Sequence, residues 1–564
     1  MTDRPDDPTS DKLEEPSNPE RRRVLGGMAL ASAAAALGVR RADGAPRTAA
    51  TRQADAALDA QLREHIHTVV VLYAENRSFN NLFAGFPGLA QPLEALDSPR
   101  YRQRDRDGSL LTTLPPIWSG LVPHPQTIDG RHYHIDEQAI TNLSNRPFAL
   151  RTPQGDLLSQ RVITRDLIHR FYENQLQING GRNDGFVAWG NTGAMVMGHY
   201  ADTANQLRLW RIARQYTLCD NFFMGAFGGS FLNHQYLAAA QPPFYPRADQ
   251  SPAKLQIAVM AGDGPSDIRP KLAGDSPASA MHGRPEWASR DALTPDFWAV
   301  NTMGPAYVPG YTHDPRDPRL ADPASPSTLP AQSHLTIGDL LSGANVDWAW
   351  YAGAWQLALE GRGQGNHKDF PEIPDFQPHH QPFNYFRQFA PGTAARQQHL
   401  RDAGVGSSAD INHFIAAIDA GSLPPVAFYK PQGDLNMHAG YASVEAGDEH
   451  LAQVVEALQK SPQWPHMLVV ITVDENGGWW DHVAPPKGDR WGPGTRIPAL
   501  IVSPHAKNRF VDHTIYDTGS ILRFITRRFG LKQLPGLKLR DASMIAAGGP
   551  PPGDLTAALQ FETA

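Results

Sequence analysis

Two long apolar runs in the chain show no polar alternation: His67–Tyr73, with Ala74 behind it, and Met467–Val473. Uninterrupted runs rich in β-branched residues predict strands buried on both faces of a parallel sheet. Shorter runs at Tyr216–Asp220, Val346–Tyr351, Val426–Tyr429 and Pro498–Val502 predict four more strands. Helical periodicity over Asp448–Lys460 and Tyr516–Phe529 sets helices among and after them. Such alternation predicts an α/β fold with a central, mostly parallel sheet flanked by helices. From about 241 to 330 the chain is dense in Pro, Gly and Asp with little periodicity, which predicts an irregular insertion or cap. Gly85–Arg161 reads as similarly irregular, and no internal repeat is present.

The two longest runs end alike. Glu75-Asn76 follows the first and Asp474-Glu475 the second. In open α/β sheets the ligand crevice lies beyond the carboxyl ends of the strands, so three carboxylates and an amide are expected to converge there. Crowded carboxylates repel unless a cation sits among them, and oxygen ligands suit hard or borderline divalent ions. The competing explanation is a pair of strand-end turns or helix caps, positions that Asp and Asn favour. Ser230 lies in Gly225-Ala226-Phe227-Gly228-Gly229-Ser230-Phe231-Leu232-Asn233-His234, a glycine turn after the candidate strand ending at Asp220. Such a turn is often only a loop and N-cap. It also bends the backbone sharply enough to present a hydroxyl at the crevice, where a base or a metal is needed to make it a nucleophile. His169, the Pro-flanked pair His379-His380, His438 and Asp481-His482 stand near these features, and His can donate to phosphate, protonate a leaving group or bind metal.

With 564 residues the chain can bury a large core, and 41% hydrophobic with 19% charged residues is ordinary for a globular protein. A net charge of −7 without a Lys/Arg cluster argues against a nucleic-acid partner. Cys219 is the single cysteine, so no internal disulfide can form. Residues 1–20 are polar and lack periodicity, which predicts disorder. Arg21-Arg22-Arg23-Val24-Leu25 and the apolar stretch Gly26–Val39 then form a charged region before an apolar region too short to span a bilayer. The Arg-Arg-x-Val-Leu pattern resembles a twin-arginine signal, with Ala42-Asp43-Gly44 before Ala45 as a small-residue cleavage site. This predicts use of the twin-arginine export machinery, a periplasmic or secreted location and no transmembrane segment in the mature chain. The expected division is 1–44 as disordered n-region and signal, 60–545 as catalytic domain and 546–564 as C-terminal tail.

Glu75-Asn76-Arg77-Ser78-Phe79 and Asp474-Glu475-Asn476-Gly477-Gly478-Trp479-Trp480-Asp481-His482-Val483 resemble the two end motifs of the bacterial phosphoesterase family, which joins acid phosphatases of the A type with non-haemolytic phospholipases C. The resemblance continues through Asp166–Gly181, Gly228–Tyr236, Phe376–Phe386 and Ser461–Trp464, from about Val69 to Leu531. It implies an alkaline-phosphatase-like fold, one divalent metal ion, a phosphate ester substrate and a serine nucleophile. It also implies Glu75, Asn76, Ser230, Asp474 and Glu475 as metal ligands, with His169, His379, His380 and His438 around the transferring phosphoryl group. The family's usual Asp after Ser-Phe is Asn80 here. The Gly-Gly-Ser-Phe-Leu-Asn-His setting of Ser230 looks like the acid phosphatase branch, since phospholipase members carry a Thr in a Pro-Thr-x-Pro-Asn-Arg stretch. The expected activity is therefore an acid phosphatase, with phospholipase C as the alternative. A sulfatase would need a Cys-x-Pro-x-Arg setting that Cys219-Asp220-Asn221 does not supply.

Overall fold

The computed structural model describes residues 49–133, 141–264, 267–364 and 373–561. The twin-arginine and cleavage-site reading lies outside them. Two compact units divide the chain, Met1–Ala60 and Gln61–Ala564. The described part of the first belongs to helix α1 (Ala49–His65). The sheet and the candidate site belong to the second.

Eight strands form its central sheet: β1 (Thr68–Ala74), β2 (Thr217–Cys219), β3 (Trp348–Ala352), β4 (Leu400–Asp402), β5 (Val426–Lys430), β6 (Met467–Val473), β7 (Ala499–Val502) and β8 (Phe510–Asp512). Their spatial order is β8-β2-β7-β6-β1-β5-β3-β4. β1 is central, parallel to β6 on one side and to β5 on the other. Every residue of β1, β3, β5 and β6 is buried, which is why these runs lack polar alternation. The expected strands at Val346–Tyr351 and Tyr216–Asp220 shift by one or two residues, within the fraying of strand ends.

Three features differ from the sequence expectation. β7 runs antiparallel to both β6 and β2. No helix occurs between Val473 and Ala499, and without a helical crossover the chain returns beside β6 instead of repeating its direction. Edge strands β4 and β8 were not expected. Each has three residues and is partly exposed, so neither leaves an apolar run. The two expected helices also start elsewhere. Helix α4 (Val444–Lys460) begins four residues before Asp448, because the Ser443 hydroxyl accepts from the Ala446 N–H. Helix α5 (Thr518–Arg528) begins later than expected, since Tyr516-Asp517 pairs with Phe222-Phe223 and the Asp517 N–H donates to the Ser520 hydroxyl in the first turn.

Residues 241–330 contain short 3₁₀ turns and isolated bridges among the described residues, as their composition predicts. They pack against the segments that carry the site. The Asn301 side chain accepts from the Phe171 N–H at 2.9 Å, Asp291 pairs with Arg170, and Trp298 packs on Trp491 at 5.7 Å between ring centroids. No described helix is long and apolar enough to cross a membrane.

Candidate active site

β1 and β6 are in register to their last residues, Ala74 beside Val473, so Glu75-Asn76 and Asp474-Glu475 leave the sheet side by side. All four are buried. Asn76 takes a left-handed conformation, φ 61°, which Asn tolerates better than most residues. Its N–H donates to Asp474 Oδ1 at 3.1 Å, and the Glu475 N–H donates to the same oxygen at 2.7 Å. Gly477 also has positive φ, and a Cβ there would stand 2.4 Å from the Asn76 carbonyl oxygen. The two turns can touch only because this residue is glycine.

Ser230 opens helix α3 (Ser230–Ala239), with Gly229 at the N-cap. Gly228, at φ +93°, lets the turn press on the start of helix α2 (Phe171–Ile178), where a Cβ would meet the Phe171 nitrogen at 2.6 Å. This geometry delivers the Ser230 hydroxyl to the ends of β1 and β6. Oγ lies 3.2 Å from Asn76 Oδ1 and 3.3 Å from Glu475 Oε1, two acceptors for one hydrogen.

The histidines converge on the same place. His380 Nε2 is 3.0 Å and His379 Nε2 3.8 Å from Glu75 Oε1. His169 Nε2 is 3.3 Å from Asn76 Nδ2 and 3.6 Å from Glu475 Oε1. Its Nδ1 faces the Leu167 carbonyl at 2.5 Å, which assigns the ring hydrogen to Nδ1 and leaves Nε2 as the acceptor. His438 meets His169 edge-on, with centroids 5.8 Å apart. The structure thus gathers every residue singled out from the sequence as a ligand or catalytic group. His482 is elsewhere: its ring bonds Asn80 Oδ1 and the Gln91 carbonyl. Asn80 also receives Arg496, whose charge Asp481 already balances, so the amide serves where the family usually has Asp.

Four participants were not singled out. His234 lies one helical turn after Ser230, and its Nδ1 donates to the Ser230 carbonyl at 2.8 Å. The Ser-x-x-x-His spacing on a helix was the available signal. Asn436 and Tyr441 each donate to Glu75 Oε2 at 2.8 Å. Lys430, the last residue of β5, reaches Glu75 Oε1 at 2.7 Å. An apolar run ending in a lysine reads as a strand meeting water, and nothing local tells that this one stays inside.

Burial sets the charge states. Glu75 is held well below the usual carboxylate range, because Lys430, His380 and His379 together outweigh the upward push of burial. Asp474 is driven well above it by burial and then by Glu475 and Glu75. Glu475 is driven up by burial, against the Gly477 N–H, and further by Glu75. Burial pushes His380 down to about 3 and His234 well below its ordinary value, so both rings are neutral at neutral pH.

These residues fit a divalent cation. Asp474 Oδ2 and His234 Nε2 are buried without a hydrogen-bond partner, and Glu75 Oε1 is met by Lys430 and the two histidines away from good hydrogen-bond geometry. Glu75, Asp474 and His234 each offer a ligand atom within 4.8 Å of the others. Asp474 and Glu475, driven upward by burial and then by neighbouring carboxylates, stand beside orphaned oxygen and nitrogen acceptors and match the donor set of a hard or borderline ion. Asn76 Oδ1, Ser230 Oγ and Glu475 Oε1 adjoin this set.

A model of the phosphoesterase family matches residues 66–532. The chain belongs to the phosphoesterase family. Among curated relatives, it is 29% identical over 174 residues to a non-hemolytic phospholipase C of Pseudomonas aeruginosa, covering 25% of this chain and 24% of that protein. It is 22% identical over 531 residues to phospholipase C A of Mycobacterium tuberculosis, covering 88% of this chain and 78% of that protein. The chain spans about a quarter to a third of the length of the first relatives it matches. Among solved structures, it is similar to a protein in the alkaline phosphatase superfamily from Vibrio parahaemolyticus, at 12% identity and a TM-score of 0.29, over 63% of this chain and 64% of that one.

Proposed function

We propose that this phosphoesterase is an exported, metal-dependent enzyme that hydrolyses phosphomonoesters through a phosphoserine intermediate. The observation that carries the reading is the Ser230 hydroxyl, fixed by a glycine turn over a buried three-carboxylate cluster with two acceptors in reach. Glu75, Asp474 and His234 would hold the ion, with Asn76, Ser230 and Glu475 beside it. When bound, a divalent ion supplies a lowered hydroxyl pKa and positive charge for phosphoryl oxygens.

Ser230 Oγ attacks phosphorus as its hydrogen passes to Glu475 Oε1. The bond from phosphorus to the ester oxygen breaks, and the departing alcohol takes a proton from Nε2 of His169, which enters this step as the imidazolium with its Nδ1–H kept on the Leu167 carbonyl. His169 suits this role by position, with part of its side chain open to solvent and Glu475 close behind. Water then attacks the phosphoserine and gives a proton to His169 Nε2, the bond from phosphorus to Ser230 Oγ breaks, Glu475 returns its hydrogen to Oγ, and phosphate leaves with both groups reset. His379 and His380 stand beside Glu75 and His438 beside His169, where the imidazoles are placed to stabilise developing phosphoryl charge.

Ser230 in the Gly-Gly-Ser-Phe-Leu-Asn-His setting favours monoesters. The phospholipase C names of the curated relatives favour a second reading, cleavage of phosphodiesters. One assay separates them. The expected result is a higher kcat/KM for p-nitrophenyl phosphate than for p-nitrophenyl phosphorylcholine. The reverse order moves the assignment to phospholipase C and leaves the Ser230 chemistry in place.

Export rests on Arg21-Arg22 and the short apolar stretch behind them. Expression in a twin-arginine-competent host is expected to yield a product starting near Ala45 outside the cytoplasm, and Arg21→Lys/Arg22→Lys to retain the precursor. N-terminal sequencing of both fractions reads this directly, and an uncleaved cytoplasmic product from the unmodified gene contradicts it.

A further inference from the structure

Lys430 is fully buried, a rare state for lysine, and it sits at the bottom of the candidate site. Strand order explains how it gets there. β5 lies between β1 and β3, and Tyr429 is level with Leu72 of β1, so Lys430 ends its strand beside Tyr73, two residues before Glu75. The ammonium stands 2.7 Å from Glu75 Oε1 and 6.0 Å from the centre of the Tyr73 ring. It meets the carboxylate away from the direction of a good hydrogen bond, so charge rather than hydrogen-bond geometry holds the pair. His380 crowds the same oxygen at 3.0 Å, and the other oxygen is taken by Tyr441 and Asn436.

The formal charges make the position meaningful. Glu75, Asp474 and Glu475 bring three negative charges into a space without water-exposed surface. One divalent ion leaves one of them unbalanced, and two divalent ions overshoot by one. A single ion with one fixed ammonium closes the count at zero. Two-metal phosphoesterase sites place a second ion about 3.5–4 Å from the first as the other half of the clamp.

Resting on the metal-dependent reading above, we propose that Lys430 is the built-in second cation of the site: a positioning residue that takes the place of a second metal ion, fixes the stoichiometry at one and holds Glu75 in place. It touches neither substrate nor reacting atoms. Its effect on the bound ion is repulsive, so removing its charge makes the site a tighter trap for metal while impairing turnover. A lysine that merely fills space in the core has the opposite signature, because a loosened site binds metal less well.

The test compares the full chain with Lys430→Gln and Lys430→Arg. Each metal-stripped protein is titrated at pH 8 with Ca²⁺, Mn²⁺ or Zn²⁺ alone by calorimetry, with bound metal counted by elemental analysis. The expected result is one ion per wild-type chain. Lys430→Gln should bind that ion at least about ten-fold more tightly and take up a second, because an opposing charge a few Å away has gone. Lys430→Arg should keep wild-type affinity and stoichiometry, and kcat should fall in Lys430→Gln alone. Unchanged or weaker binding in a folded Lys430→Gln protein overturns the proposal. If that variant does not fold, Lys430→Gln is placed on Glu75→Gln, where the carboxylate that Lys430 pairs with is already neutral. The same tightening relative to Glu75→Gln is expected, and its absence again overturns the proposal. A wild-type chain that binds none of the three ions overturns the metal reading itself. Wild-type binding with an indifferent Lys430→Gln overturns only the role of the lysine.

Discussion

Ser230→Ala will abolish turnover, lowering kcat by at least about 10³ while the fold persists. The hydroxyl makes no packing contribution comparable with its chemical one. Ser230 lies at the head of α3, where Gly229 is the cap and no side-chain cap bond exists, so removing Oγ leaves the helix start intact. The cost to structure is one weak interaction shared between Asn76 Oδ1 and Glu475 Oε1. The cost to chemistry is the nucleophile, and nothing in the cluster replaces it: Asp474 and Glu475 are enclosed at the strand end, and His234 is buried behind the serine. Circular dichroism and the melting temperature should match wild type. Turnover within ten-fold of wild type would remove Ser230 from the mechanism.

Stripping the protein of metal is expected to eliminate activity and to reverse how stability depends on pH. Asp474 and Glu475 have folded-state pKa values raised far above the unfolded values of about 3.9 and about 4.3. Between those unfolded values and the raised ones, the folded chain binds protons that the unfolded chain has released. Stability of the metal-free protein therefore falls as pH rises from about 4, by linkage. Glu75 works in the opposite direction, since its depressed value adds stability above about 4.3, but it is one group against two. Melting curves from pH 4 to 8 with and without a divalent ion should diverge most at high pH, where the carboxylates are charged and the ion binds best. Activity should return with the ion. Full activity in protein shown by elemental analysis to be metal-free would refute the dependence.

Much of this architecture was legible because burial writes directly into composition. β1 and β6 are enclosed on both faces, so their sequences are unbroken apolar runs, and their carboxyl ends mark the site from the sequence alone. The same logic fails at the sheet edges. β4 and β8 have three residues with partial exposure, too short and too mixed to carry a period. The direction of β7 was not legible, because it depends on the path of the intervening 474–498 segment rather than on the strand itself. Within the site, residues adjoining the two end motifs were accessible, and so were the histidines, whose chemistry is distinctive. Lys430, Asn436 and Tyr441 were not. Each owes its role to a neighbour far off in the chain, Glu75, and each has an unremarkable local setting. His234 was a near miss. Its one-turn spacing from Ser230 was visible, but whether that face of α3 looked into the site or into the core depended on a helix buried along its whole length.

Acid-quenched turnover followed by peptide mass spectrometry tests the central claim most directly. Enzyme mixed with p-nitrophenyl phosphate and stopped in acid should carry one phosphate on the peptide containing Ser230, and the Ser230→Ala protein should carry none. Wild-type enzyme that turns over without ever acquiring a phosphoserine would contradict the account.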